Sequence, residues 1–374
     1  MTAQPPTTRL HLERPSRQWV DLFYDLAIAA AIIDLASAYS KDASPSGAIW
    51  LGLAYGVLWC TWLLTSAATG SFMHAQRTLT VPTVVALVLQ MGAILFLAVA
   101  SSDSVADDAG LFDLLVGVAL LLSLVLTVVA RRHTAHSGAV TGLIVAAVVA
   151  LAASYVVPGG LGWAVWAAAF VLVGIAVWLV AGSSEFDTHR VLHRLGELTV
   201  IVIGETLVKL VLTASEHTVA SVSVVALVAI LATLAAIWWA YFSGLTHTTA
   251  LDGPHRRFWI VLHLPLHLAL LGISVGLAKL LVGDPSLAKP FGALGLVAAP
   301  VVFAVLVEAG LAVTSRRATA AWFLGAGAIV MAALSLLCQL TLPTLPSALL
   351  LAAVALVVAG LATTSRRPEC EDEA

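Results

Sequence analysis

The sequence predicts an all-α polytopic integral membrane protein with about twelve transmembrane helices, arranged as a 6+6 parallel internal repeat. Three observations carry that expectation. The first is composition: 60% of the 374 residues are hydrophobic and 10% are charged, with a mean hydropathy of +1.01. A soluble chain is about 45–50% apolar and about 25% charged, so a soluble enzyme and a disordered chain are excluded. The second is that apolar runs long enough to span a bilayer recur from end to end. The third is that the sparse basic residues alternate in position between successive runs. A net charge of −3 leaves no basic face for nucleic acid. Cys60, Cys338 and Cys370 are too scattered for a disulfide framework or a zinc site.

The elements follow in order. Residues 1–18 carry Pro5, Pro6, Glu13 and Pro15 and no apolar core, so they read as a cytosolic tail and not as a signal peptide. The first membrane half, 19–182, holds runs at 19–39, 47–69, 79–100, 110–130, 138–157 and 161–182. The second half, 183–364, holds runs at 193–214, 219–243, 258–282, 291–314, 320–341 and 346–364. Residues 365–374 form an acidic cytosolic tail ending in Glu369, Glu371, Asp372 and Glu373. With the N-terminus inside, 14 of the 18 Lys and Arg residues fall in inner loops and tails, including Arg131, Arg132, Arg190, Arg194, Arg256, Arg257, Arg316 and Arg317. The outer loops keep only Lys41 and Lys289, and one of them is acidic, with Asp103, Asp107 and Asp108. This positive-inside bias supports twelve spans with both termini in the cytoplasm.

A shift of 180 positions aligns Arg14 with Arg194, Asp25 with Glu205, Trp59 with Trp239 and Arg77 with Arg257. Slightly longer shifts pair Pro82 with Pro265, and Arg131-Arg132 with Arg316-Arg317. Six spans preserve orientation, so such a repeat is parallel. Regularly spaced spans with inner arginines also self-align loosely, but the match of Asp25 with Glu205 involves a rare residue type.

Ionisable residues inside a span are costly and usually have a role. In the first run Asp21 and Asp25 are four apart and share a helix face. Two such carboxylates can bind a cation or share a proton. In the seventh run His189, His193, Glu197, Glu205 and Lys209 lie on one i,i+4 ladder. Glu205 and Lys209 are close enough to neutralise each other, either as an internal ion pair that permits insertion or as a titratable pair on an ion path. In the ninth run His263 and His267 share a face on either side of Pro265. That arrangement suits a cavity wall or, equally, histidines satisfied by neighbouring carbonyls. Trp238, Trp239, Tyr241 and Phe242, with Trp50, Trp59 and Trp62, fit an interfacial belt or the lining of a cavity.

These patches resemble the bacterial low temperature requirement A family of membrane proteins. Trp19-Val-Asp21-Leu-Phe23-Tyr24-Asp25-Leu is similar to that family's Trp-x-Glu-Leu-Phe-Phe-Asp-Leu opening. Arg194-Leu-Gly196-Glu197-Leu-Thr199 through Gly204-Glu205 is similar to its second segment, and His263-Leu-Pro265-Leu to its third. Trp238-Trp239-x-Tyr241-Phe242 also matches. Departures are Asp21 for Glu, His193 for Glu, Glu197 for an apolar residue, and Ser243 and Lys279 near positions where an acid is often found. The resemblance implies a polytopic protein of a bacterial cytoplasmic membrane and supplies no reaction.

Three functions stand open. The first is a secondary transporter, proton- or ion-coupled, for a small organic or lipid-like solute. Its pathway would use Asp21, Asp25, Arg194, Glu197, Glu205, Lys209, His263, His267 and Trp239. The second is an intramembrane enzyme acting on a lipid or isoprenoid diphosphate, with Mg²⁺ on Asp21 and Asp25 and the diphosphate on Arg190 and Arg194. The third is a structural or sensory membrane protein. The transporter needs no cofactor, and no catalytic motif favours the enzyme. In each case the lipid bilayer is a partner.

Overall fold

The structure, a computed structural model, describes residues 17–41, 43–74, 81–103, 109–130, 137–153, 162–183, 188–217, 222–245, 251, 253–289, 292–341 and 344–364. The tails and the loop residues Arg77, Asp107, Asp108, Arg131 and Arg132 lie outside them.

Every described regular element is helical. Twelve α-helices, each lying over one apolar run, form in order α1 Arg17–Lys41, α2 Pro45–His74, α3 Val81–Asp103, α4 Ala109–Ala130, α5 Ser137–Ala153 and α6 Gly162–Ala181, then α7 Thr188–Ser215, α8 Val224–Leu245, α9 Gly253–Val282, α10 Ala299–Thr314, α11 Ala318–Thr341 and α12 Thr344–Thr364. Eight are long and apolar enough to cross a membrane: α1, α2, α6, α7, α8, α9, α10 with its lead-in, and α11. Shorter apolar stretches, such as Val81–Leu97 and Leu114–Val128, lie among the described residues of α3, α4, α5 and α12.

Two helices run further than the apolar pattern predicts. α7 begins at Thr188 and α9 at Gly253, because the His- and Arg-bearing lead-ins continue the helical register before the apolar stretch starts. Pro254 stands in the first turn of α9, where its missing N–H costs nothing. α9 continues unbroken past Pro265. A π-helical turn, Leu294–Ala298, leads into α10. There the Leu296 carbonyl sits so close to Gly276 of α9 that any Cβ at Gly276 would collide with it.

In the first half α1 packs on α2 and α3, α3 on α4, α4 on α2 and α5, and α6 on α5 and α2. In the second half α7 packs on α8 and α9, α9 on α10, α10 on α8 and α11, and α12 on α11 and α8. The halves meet where α1 and α2 touch α7 and α9, and where α6 touches α9. Large apolar side chains such as Phe23, Phe96, Val211, Trp322 and Ile329 face outward. Helices clad this way satisfy their backbone internally and present hydrocarbon to lipid, so this is a multi-pass membrane protein in contact with a bilayer.

Candidate functional site

α1 holds Asp21 and Asp25 one turn apart, and α7 holds Arg190 and Arg194 one turn apart. Where the two helices meet, the four side chains pair. Arg190 donates to Asp21. Arg194 lies 3.6 Å from an Asp21 oxygen and donates to Asp25 Oδ1 at 2.5 Å. The Trp62 indole N–H of α2 donates to the same Asp25 oxygen at 2.7 Å. The Arg194 guanidinium also lies 5.3 Å from the Trp62 ring and 6.0 Å from the Tyr24 ring. Asp25 is 0% exposed and Arg194 3%. The carboxylates considered for Mg²⁺ and the guanidinium groups considered for a diphosphate are thus each other's partners. Among the described residues no group of three His, Cys, Asp or Glu side chains is placed to hold a metal ion.

Glu205 lies eleven residues beyond Arg194 on α7, about 16 Å along the axis. It is 3% exposed, and neither carboxylate oxygen has a hydrogen-bond partner. The Ser274 hydroxyl of α9 stands beside it and is also unbonded. Lys209 Nζ donates to the Ala36 carbonyl of α1 at 3.2 Å, and Lys209 and Glu205 still act on each other electrostatically, one turn apart. The long lysine stem reaches across to the neighbouring helix, so its charge acts on Glu205 only through space. Glu197 is also apart from the buried groups. It is partly exposed and faces His193 at 3.4 Å on the surface of α7.

The two histidines of α9 are fully buried. His263 Nδ1 lies 2.8 Å from the Trp259 carbonyl and Nε2 lies 2.9 Å from the Tyr241 hydroxyl. A carbonyl only accepts, so Nδ1 carries the proton and Nε2 accepts from Tyr241. His267 Nε2 lies 2.9 Å from Thr199 Oγ1, and that hydroxyl donates to the Leu195 carbonyl at 2.8 Å. His267 therefore donates from Nε2, and its Nδ1 lone pair has no partner. Trp239 does not join this interior. It is 55% exposed and its indole N–H donates to Thr363 of α12 at 3.3 Å. The helix rotation that buries Tyr241 turns Trp239 outward.

Three arrangements escaped the sequence reading. Trp62, grouped there with the belt aromatics, is fully buried and holds Asp25. Gln90, Thr65 and Ser123 form a closed polar knot between α2, α3 and α4. Glu308 of α10 is 4% exposed, and both its oxygens lack a partner. The available signal was a single acid inside an apolar run.

The model of the bacterial low temperature requirement A protein (LtrA) matches residues 17–361. The chain belongs to this family. No curated protein and no solved structure matches it significantly. The three segments that resemble the LtrA pattern fall on α1, α7 and α9, helices that pack against one another. Asp25 to Arg194 joins the first segment to the second, and Thr199 to His267 joins the second to the third. Glu197, a departure from the family pattern, lies on the periphery, whereas Glu205 lies at the α7–α9 contact.

Proposed function

We propose that this LtrA family protein is a secondary transporter, coupled to protons or another cation, for a small organic or lipid-like solute. The observation that carries the reading is Glu205, a buried carboxylate with no hydrogen-bonded partner, on a helix where the two halves meet. A buried charge without a partner is expensive, so a proton or a cation has to balance it. Loading and unloading that position is the elementary act of coupling.

The reading includes twelve crossings in two parallel six-helix halves. Adding six to each helix number in the first half's packing pairs gives a pair present in the second half, with α1–α3 answered by α7–α9 and α2–α6 by α8–α12, while α8–α9 has no counterpart among the first half's pairs. It also places the arginine-bearing helix ends, both termini included, on the cytoplasmic side of a bacterial inner membrane. The Asp21–Arg190 and Asp25–Arg194 pairs then close the cytoplasmic end beneath Glu205. Rocking one half against the other, the usual route to alternating access, separates α1 from α7 and exchanges those pairs for water. The enzyme alternative gains little from the geometry, since its metal and diphosphate ligands are bound to each other.

The test is uptake of a solute panel into liposomes holding the purified protein, with and without an imposed pH gradient. At least one solute should accumulate uphill with wild type and not with Glu205→Gln. Gradient-driven accumulation that is undiminished in Glu205→Gln contradicts the reading.

A further inference from the structure

We propose that the lipid-facing seam between α6 and α9 binds the phosphate of one anionic phospholipid, with Arg257 as its cationic ligand. The inference rests on placement in a bilayer and is independent of the transport reading.

The two adjacent arginines near the start of α9 are used differently. Arg256 is consumed by the protein. Its Nε donates to the Ala181 carbonyl at 2.9 Å, and its terminal nitrogens donate to the Ser183 carbonyl at 3.1 Å and to Thr188 Oγ1 at 3.2 Å. It thereby ties the last turn of α6 to the start of α7. Arg257 lies against α6 instead. Its guanidinium sits 5.6 Å from the Trp178 ring centre, and so close to Gly182, one turn further on, that a Cβ there would collide with it. No hydrogen bond or ion pair joins Arg257 to any described residue, and its Nε is buried without a partner. The like charge of Arg256 acts on it. A half-buried guanidinium beside a second cation, with no counter-charge, calls for an anion. The acids nearest in sequence, Glu185, Asp187 and Asp252, lie outside the described residues.

The surroundings select a lipid phosphate over a free one. Phe258 packs edge-on against Trp178, with ring centres 5.0 Å apart, and is itself 54% exposed. Val171, Ile175 and Trp178 follow one another at helical spacing on α6, and Val171 and Ile175 face outward. This stripe runs about 10 Å from Trp178 into the span. A cation at a helix end, two aromatic rings at the same level and an apolar strip leading inward match the head group, interface and acyl chain of a phospholipid. The unbonded terminal N–H groups of Arg257 suit a two-pronged contact to phosphate oxygens. Arg256 is already engaged, so the seam takes one phosphate, and its charge repels the ammonium of a zwitterionic head group. Phosphatidylglycerol, with one phosphate and no cation, has the matching chemistry.

The probe is dioleoylphosphatidylglycerol, titrated in mixed micelles into the full-length protein in a neutral detergent, with the unfolding temperature as readout. Wild type should show a saturable rise, and dioleoylphosphatidylcholine and inorganic phosphate should give none. Arg257→Gln removes a charge-assisted contact and should weaken the apparent affinity about tenfold or more. Gly182→Ala keeps every charge but displaces the guanidinium from its seat. It meets only the far end of a flexible side chain, so the variant should fold, with an affinity about three- to tenfold weaker. Arg316→Gln removes one charge from an exposed position elsewhere and should respond as wild type does. No saturable rise in wild type, the result expected if a loop acid neutralises Arg257, overturns the proposal. So does an equal rise with phosphatidylcholine or inorganic phosphate, or an equal loss in Arg257→Gln and Arg316→Gln. If Arg257→Gln does not fold, an unchanged response in Gly182→Ala overturns it alone.

Discussion

Helices α1–α6 and helices α7–α12 treat their buried acids differently. In α1–α6 the buried acid Asp25 and the buried amide Gln90 are held by partners, whereas the Tyr24, Tyr55 and Thr127 hydroxyls and the Trp59 indole N–H are buried without one. The Gln90 amide nitrogen lies 3.0 Å from the Ala119 carbonyl oxygen, 3.1 Å from Thr65 Oγ1 and 2.5 Å from Ser123 Oγ, sharing its two N–H groups among them. Asp25 holds both Trp62 and Arg194, leaving one oxygen unbonded. In α7–α12 two carboxylates, Glu205 and Glu308, and one imidazole nitrogen of His267 are buried without partners. The residues that a 180-position shift equates make the contrast direct. Asp25 is ion-paired where Glu205 is unpaired, and Trp59 is buried where Trp239 faces outward. A satisfied polar group fixes structure, whereas an unsatisfied acid is a position still able to take a proton or a cation. On the proposed reading, the Asp25–Arg194 pair anchors the bundle and Glu205 carries the coupling.

The largest expected effect is on the anchor. Arg194→Gln strips Asp25 of its counter-charge and should destabilise the fold by about 3–5 kcal/mol, as for one-sided removal of a buried ion-pair partner. Adding Asp25→Asn should recover much of that loss, read from unfolding in detergent. If Arg194→Gln alone is neutral, the two ends of the comparison collapse into one.

Next comes the closed knot of the first half. Gln90→Leu leaves the Thr65 and Ser123 hydroxyls without their amide partner and should cost about 1–3 kcal/mol. A Gln90→Leu/Ser123→Ala double variant should cost less than the sum of the two singles, because the pair acts as a unit.

The smallest effect belongs to Asp284, a loop acid that neighbouring groups satisfy. Asp284 accepts from the Ser286 backbone N–H at 2.7 Å and from Lys279 at 3.3 Å. Contacts with Ser286 first, and with Lys279, hold its carboxyl below the ordinary value of 3.8. A carboxyl lowered by folding stabilises at pH values above its ordinary range and loses that contribution as pH falls below 3.8 through the lowered value. Asp284→Ala should therefore lower stability slightly, by about 1 kcal/mol at most, at neutral pH, and the difference from wild type should shrink on acidification. A deficit that grows in acid contradicts the assignment.

The helices and the buried faces of α1 and α7 were legible because hydropathy and the i,i+4 rule act locally. Asp21 and Asp25 on one face, and Glu205 deep within its helix, follow from counting alone. Partner choice was not legible. Asp25 and Arg194 are 169 positions apart, and no local rule joins them. The same limit explains Lys209, whose four-carbon stem reaches Ala36 as readily as Glu205. Trp62 and Trp239 each stand in an apolar run beside other aromatics, so only the rotation of each helix against its neighbours decides which is inside. Glu308 has no second charged residue at helical spacing within its apolar run to announce a stripe.

The central claim is that Glu205 couples movement of solute to movement of a proton or cation. The most direct measurement compares two modes in the same liposomes: uphill accumulation driven by an ion gradient, and exchange of solute across the membrane with no gradient. Glu205→Gln keeps the side chain's shape and removes its charge, so the account predicts that exchange survives while uphill accumulation disappears. Retention of both modes, or loss of both together with an unfolded protein, would contradict it.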